Sequence, residues 1–351
     1  MLSASIVAVA MLSMNPSLLG QGPARGDAES AESFLAHAPT GTLRVRAVQG
    51  SDGGTQPAGA PIQVTLYRGE SVLRTLTAVL DERGEAMLTG IPVVMGVLPV
   101  VQIRHSGVTY QEPGGLMDPQ QREMAIEVKV YDTTQDRPAW SVAMRHALVE
   151  RGSSGVLNVS EMVVVDNRGD RTWTGETPDE KGKACTVRLE LPAGARKVRL
   201  ISGFHGWCCT KFEASELSVW MPLMPGKCTF EFGYEVPVSG DTMEMRFGAG
   251  VTTDHLMMFA REEGFAAGSL GSGIMEVEVA DQSFGRLLQG KGVEAGDRAG
   301  LVLTGLAPAI PDSTAADRAL GGPLAWAGLI AVGAGFAGWL VRRRVKRSAV
   351  P

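Results

Sequence analysis

Four cysteines, Cys185, Cys208, Cys209 and Cys228, carry the most chemistry in this 351-residue chain and fall in one stretch of it. An even count suits disulfides in an oxidising compartment. Adjacent cysteines pair only through a strained ring. The expected bridges therefore link Cys185 and Cys228 to the vicinal pair Cys208-Cys209, in either of two connectivities. Cys185 shares its strand parity with Val187, and Cys228 with Phe230, which aims both thiols at a core. The same residues offer a second chemistry, a redox or thiolate-metal centre at Gly206-Trp207-Cys208-Cys209, although neither Cys-x-x-Cys nor Cys-x-x-Cys-His spacing is present. Methionine adds soft donors, with 16 in the chain. Trp220-Met221-Pro222-Leu223-Met224 and His255-Leu256-Met257-Met258 present thioethers and an imidazole of the kind that suits Cu(I). Thioethers also fill irregular gaps in cores. The candidate metal ligands are thus Cys208, Cys209, His255, Met257 and Met258.

Hydrolytic chemistry has no such anchor. There is no His-Glu-x-x-His, and His146 and Glu150 sit four apart in a segment expected to be a strand, roughly 13 Å along it. Ser154 and Ser269 lie near glycines without forming a Gly-x-Ser-x-Gly elbow. The five histidines, at 37, 105, 146, 205 and 255, are scattered. No catalytic residue and no cofactor is assigned. A net charge of −5 gives no reason to expect nucleic acid as a partner.

The elements that must position these residues read as strands. Glycine (44) and proline (19) punctuate the chain, and alternation with a period of two recurs between them. Leu43, Val45 and Ala47 alternate with polar residues, as do positions 62–67 after a Gly/Pro-rich turn. Positions 72–80, 86–88, 99–104 and 124–131 continue the pattern, with turn signals every 8–12 residues. That is the pattern of a β-sandwich over 41–132. A second sandwich is expected over 139–240, from strands at 143–148, 156–165, 186–191, 197–201, 217–220 and 229–236. A β-rich segment follows over 241–306, with strands near 243–247, 274–279 and 301–303. The fold class is all-β: tandem sandwiches plus one C-terminal transmembrane helix.

The run Gly41-Thr42-Leu43, the stretch "PAGAPIQVTLYR" after its glycine-rich turn, and "DERGEAML" followed by Gly90-Ile91-Pro92 resemble a carboxypeptidase regulatory-like domain, a transthyretin-type sandwich, over about residues 40–132. Ser106-Gly107-Val108-Thr109-Tyr110 is similar to that family's Tyr-containing strand. The resemblance implies a non-catalytic module that supports, spaces or binds.

Both ends point to export in a bacterial cell. Residues 1–24 have the short apolar run of a signal peptide, without a basic residue before it, and 25–40 read as a flexible leader. Residues 307–322 have the Pro/Ala/Gly/Asp composition of a linker. Leu324 to Val341 carries no charge over 18 residues, which as a helix covers about 27 Å, close to the hydrocarbon thickness. The span expected over 323–341 is followed by a basic tail, 342–351, with Arg342, Arg343, Arg344, Lys346 and Arg347. Positive charge beside a span stays cytoplasmic, so the preceding residues are expected on the periplasmic or outer side. Gly333-x-Gly335-x-x-Gly338 matches a dinucleotide fingerprint in letters only, because a membrane span offers no strand before it and no open helix N-terminus. Ala327, Ala331 and Gly335 instead form a small-residue stripe suited to helix–helix dimerisation. The sequence leads to a membrane-anchored, non-catalytic binding or scaffold protein of the cell envelope, with redox or copper delivery through Cys208, Cys209 and nearby Met as the alternative.

Overall fold

A computed structural model describes residues 35, 37–153, 155–175, 184–248, 250–262, 264–277 and 285–306. The expected signal peptide, linker, span with its Ala327, Ala331 and Gly335, and basic tail lie outside the described residues, as does most of the leader. Among the described residues no helix is long and apolar enough to cross a membrane. Within residues 40–306, the named elements among the described residues are strands, as the alternation implies.

The first body uses seven strands: β1 (Thr40–Gln49), β2 (Pro61–Arg68), β3 (Ser71–Val79), β4 (Glu85–Pro92), β5 (Leu98–His105), β6 (Val108–Pro113) and β7 (Glu123–Val130). They form two sheets, ordered β4-β1-β7 and β3-β2-β5-β6. β1 runs antiparallel to β4 and parallel to β7. The alternating residues Leu43, Val45 and Ala47 of β1 meet Ile62, Val64 and Leu66 of β2 in one core. Each of these side chains is nearly or wholly removed from water, at about 25 cal/mol per Å² of apolar area.

The second body contains β9 (Trp140–Arg151), β10 (Val156–Asn167), β12 (Val187–Glu190), β13 (Arg196–Ser202), β14 (Thr210–Glu213), β15 (Glu216–Val219), β16 (Gly226–Pro237), β17 (Thr242–Arg246), β18 (Thr253–Ala260), β19 (Ala266–Leu270), β20 (Ile274–Val277), β21 (Arg286–Val293) and β22 (Gly300–Thr304). A seven-stranded sheet runs β13-β16-β10-β9-β18-β21-β20. Two three-stranded sheets, β12-β15-β14 and β17-β22-β19, complete the architecture. Val159, Val163, Phe230 and Phe232 from the large sheet share a core with Val187, Leu189 and Leu217 of one small sheet and Met245, Leu301 and Leu303 of the other.

The division expected at residue 240 is corrected by this arrangement. β18 lies beside β9 in parallel register, with Met257 opposite His146, so residues 241–306 build the same sheet and core as 139–240. The sequence hides β18 because Leu256 to Ala260 are buried on both faces of the sheet, which removes the alternation. β14, β19 and β21 are also strands without a clear period-two signal, and in β21 Gly290 and Gly292 interrupt it.

Short strands β8 (Thr133–Thr134) and β11 (Thr172–Trp173) pair in parallel and join the two bodies. Asp132 is the centre of that junction. Its carboxylate accepts from His105 Nε2 at 2.9 Å, Gln49 Nε2 at 3.2 Å and the Thr55 amide at 3.1 Å. Arg171 of the second body reaches the same carboxylate at 3.5 Å, and the Thr172 amide donates to the Asp132 carbonyl at 2.9 Å. Ser51 Oγ donates to the Asp170 carbonyl at 2.7 Å, and the buried Tyr110 hydroxyl lies 2.8 Å from Thr172 Oγ1.

Burial raises the Asp132 carboxyl pKa, but the bonds from His105, Thr55 and Gln49 outweigh it and the net shift is downward. A carboxyl whose folded value lies below its unfolded value of about 3.9 contributes stability above that pH, and the contribution is lost as pH falls through the folded value. Hydrogen-exchange protection of the Thr55 and Thr172 amides is expected to fall as pH drops below about 4. Asp132→Asn should show weak protection already at pH 7 and a flatter acid response. Equal profiles for the two proteins would contradict this role.

Candidate functional site

The cysteines do not assemble as expected. The structure contains no disulfide among them. β15 separates the strands that begin just after Cys185 and Cys209: Val187 and Thr210 both pair with Val219, from opposite sides. Two strand spacings come to about 9.6 Å, beyond the reach of a disulfide's Cα atoms. Nor does Cys185 aim at the core. Its thiol donates to the Val187 carbonyl at 3.4 Å, with Arg188, Glu216 and Ser218 around it, and burial raises its pKa. Cys228 does keep the parity of Phe230; it packs against the core, and burial pushes its thiol up to about 11. Cys208 is exposed, with its sulfur 3.1 Å from that of Cys209 and 3.3 Å from the His205 carbonyl.

The expected methionine ligands are also redistributed. Met258 points to the inner face and is wholly buried in the core, so it is not a partner for His255 or Met257. Met221 packs against the same core, with its sulfur 3.3 Å from the His205 amide, and Met224 is exposed. His255 and Met257 both face outward from β18. Among the described residues, no three His, Cys, Asp or Glu side chains gather to hold a metal ion.

Two groupings that the sequence did not reveal are formed instead, the second of them including the candidate ligand Met257. The first is Arg145 on β9 and Glu161 on β10, both fully buried on the core side. Arg145 Nε donates to Glu161 Oε2 at 2.6 Å and Nη2 to Glu161 Oε1 at 3.2 Å. Nη1 also donates to the Gly248 carbonyl at 2.6 Å and Nη2 to the Glu190 carbonyl at 2.7 Å. The Tyr234 hydroxyl donates to Glu161 Oε1 at 2.5 Å. Burial alone would lower the Arg145 pKa, but the Glu161 carboxylate reverses that, so the guanidinium stays charged. Burial, then the same carboxylate, holds the Tyr234 hydroxyl well above the usual phenol value. The set ties β9, β10 and β16 to the Glu190 carbonyl of β12 and the segment at Gly248. Every charge is satisfied within it, so it offers no free acid, base or nucleophile.

The second group lies on the opposite face of the large sheet. Met162 of β10, His146 of β9 and Met257 of β18 are register neighbours in one row across three strands. The row continues through Gln289 of β21 to Met275 of β20. His146 is 2 % exposed, and neither ring nitrogen has a hydrogen-bond partner. Burial, with His255 as the lesser cause, pulls its imidazole down to about 4, so it is neutral at pH 7. Glu150, four residues on, is paired with Arg261 at 2.7 Å and does not serve His146. A parity reading of β9 alone would have placed His146 outward, but its neighbours come from distant segments whose register the sequence does not state.

No protein-family model matches the chain, and no curated protein does. Among solved structures it is similar to an M1 zinc metallopeptidase from Deinococcus radiodurans, with 12% identity, a TM-score of 0.29, and coverage of 48% of this chain and 42% of that one. The chain thus spans under half the length of that metallopeptidase. It is also similar to the major pilin SpaA of Corynebacterium diphtheriae, with 13% identity, a TM-score of 0.19, and coverage of 76% and 84%. The major pilin subunit of Bacillus cereus gives 10% identity and a TM-score of 0.19, over 76% and 85%. Scores this low carry no argument about function.

Proposed function

We propose that this chain is a non-catalytic binding or scaffold protein of the bacterial cell envelope. In this reading a single span over 323–341 holds it to a membrane, with residues 41–306 displayed on the periplasmic or outer side. The observation that carries the reading is how the buried charges are used. Arg145, Glu161 and Tyr234 are bonded to one another and to backbone carbonyls inside the second body, and the Asp132 carboxylate is taken up by His105, Gln49, the Thr55 amide and Arg171 at the junction. Ionic groups held by one another and by neighbouring polar groups of the same fold specify a shape and leave no group poised for reaction. The transthyretin-type resemblance of residues 40–132 agrees with a module that supports or spaces. The uncharged stretch from Leu324 and the basic run after Val341 support the anchoring.

The test is cross-linking in intact cells, followed by purification of the full chain from native membranes. A scaffold yields one or more reproducible envelope partners, and Asp132→Ala, which loosens the junction, reduces their recovery. Recovery of the chain alone, together with turnover of a peptide or ester substrate by the purified protein, would overturn the reading.

A further inference from the structure

We propose that the outer face of the seven-stranded sheet carries a soft-metal site, suited to Cu(I), with His146 as its central ligand and the thioethers of Met162 and Met257 on either side. Register sets the geometry. Met162, His146 and Met257 occupy one row on three adjacent strands, and the three side chains share a face. Adjacent strands lie about 4.8 Å apart, so a thioether on each side falls within reach of an ion held at the imidazole. His255 lies two positions before Met257 on the same face and is exposed, which places a second imidazole at the rim.

An independent observation points to a ligand rather than to packing alone. A buried imidazole without a partner at either nitrogen is costly, because its polar atoms lose water and gain nothing. His146 is in that state, with Met257, itself 8 % exposed, beside it in the row. An ion at one nitrogen would supply the missing interaction. The donor set selects the ion: two thioethers with neutral imidazole suit a soft monovalent cation, and the absence of a carboxylate or thiolate from the trio disfavours Mg²⁺, Ca²⁺ and structural Zn²⁺. This surface is distinct from the vicinal pair Cys208-Cys209.

The experiment uses the full chain in detergent, reduced and kept anaerobic, titrated with Cu(I) against a chromogenic Cu(I) chelator. Because exposed thiols also take Cu(I), the measurements are made in a Cys208→Ser, Cys209→Ser background. That protein is expected to bind about one Cu(I) per chain, with X-ray absorption showing nitrogen and thioether sulfur at the metal. His146→Leu and Met162→Leu should each weaken binding at least about tenfold, since even the loss of an outer-shell partner typically costs 10–100-fold. Met162→Leu is nearly isosteric, and His146→Leu removes two unpartnered polar atoms, so both should fold with an unchanged far-ultraviolet spectrum. No uptake in the Cys208→Ser, Cys209→Ser background would overturn the proposal, and so would uptake unaffected by Met162→Leu and His146→Leu combined. Neither result bears on the scaffold reading, whose test is partner recovery.

Discussion

Glu161→Ala is expected to cost the fold about 3–5 kcal/mol, because it leaves the Arg145 guanidinium buried without its counter-charge. Arg145 is 0 % exposed and would keep only the Gly248 and Glu190 carbonyls as acceptors. The Tyr234 hydroxyl would lose its acceptor as well. A urea titration of the full chain in detergent should show the midpoint displaced by that amount. Replacing both partners, Arg145→Met with Glu161→Leu, should recover most of the loss, since a hydrophobic pair of similar volume avoids desolvating two charges. A single substitution that costs less than about 1 kcal/mol would show that water reaches the pair and that the network does not tie the strands together.

Gly271→Ala is expected to be comparably damaging, at about 3 kcal/mol or more, for a backbone reason. Gly271 joins β19 of a small sheet to β20 at the edge of the large one, with φ of +94°. A Cβ there would sit 1.7 Å from the Arg298 carbonyl oxygen. That oxygen belongs to the backbone just before β22, so it cannot swing aside as a side chain would. The turn would have to open and carry the edge of the sheet with it. Gly59→Ala, at φ of +72° but in open space, is the matched control and should cost only about 1 kcal/mol. Equal losses for the two would refute the steric account.

These two positions show how far the sequence could be read. Strands that alternate, such as β1 with Leu43, Val45 and Ala47, or β16 with Phe230, Phe232 and Tyr234, are legible because one face is wet and the other dry. Where both faces are covered, as at Leu256 to Ala260, the alternation disappears and β18 was not expected. Losing β18 also lost the parallel pairing with β9, and with it the unity of residues 139–306. The buried ion pair did leave a trace. Arg145 shares parity with Ala147 and Val149, and Glu161 with Val159 and Val163, so opposite charges point inward from two neighbouring strands. The His146 row left almost none, because Met162, His146 and Met257 are joined by register across three strands and not by spacing along one. The cysteines misled for the same reason: an even count is visible, whereas β15 standing between Cys185 and Cys209 is not.

Anchoring and display are the centre of the account, and protease accessibility tests them most directly. The full chain, with epitopes at residue 306 and at its C-terminus, is exposed to protease added to cells whose outer membrane has been opened. The account predicts that the epitope at 306 is lost while the basic tail after Val341 is spared in the membrane fraction. An ectodomain epitope that stays intact until the inner membrane is dissolved, or a chain that washes free of the membrane with its tail digested, would contradict it.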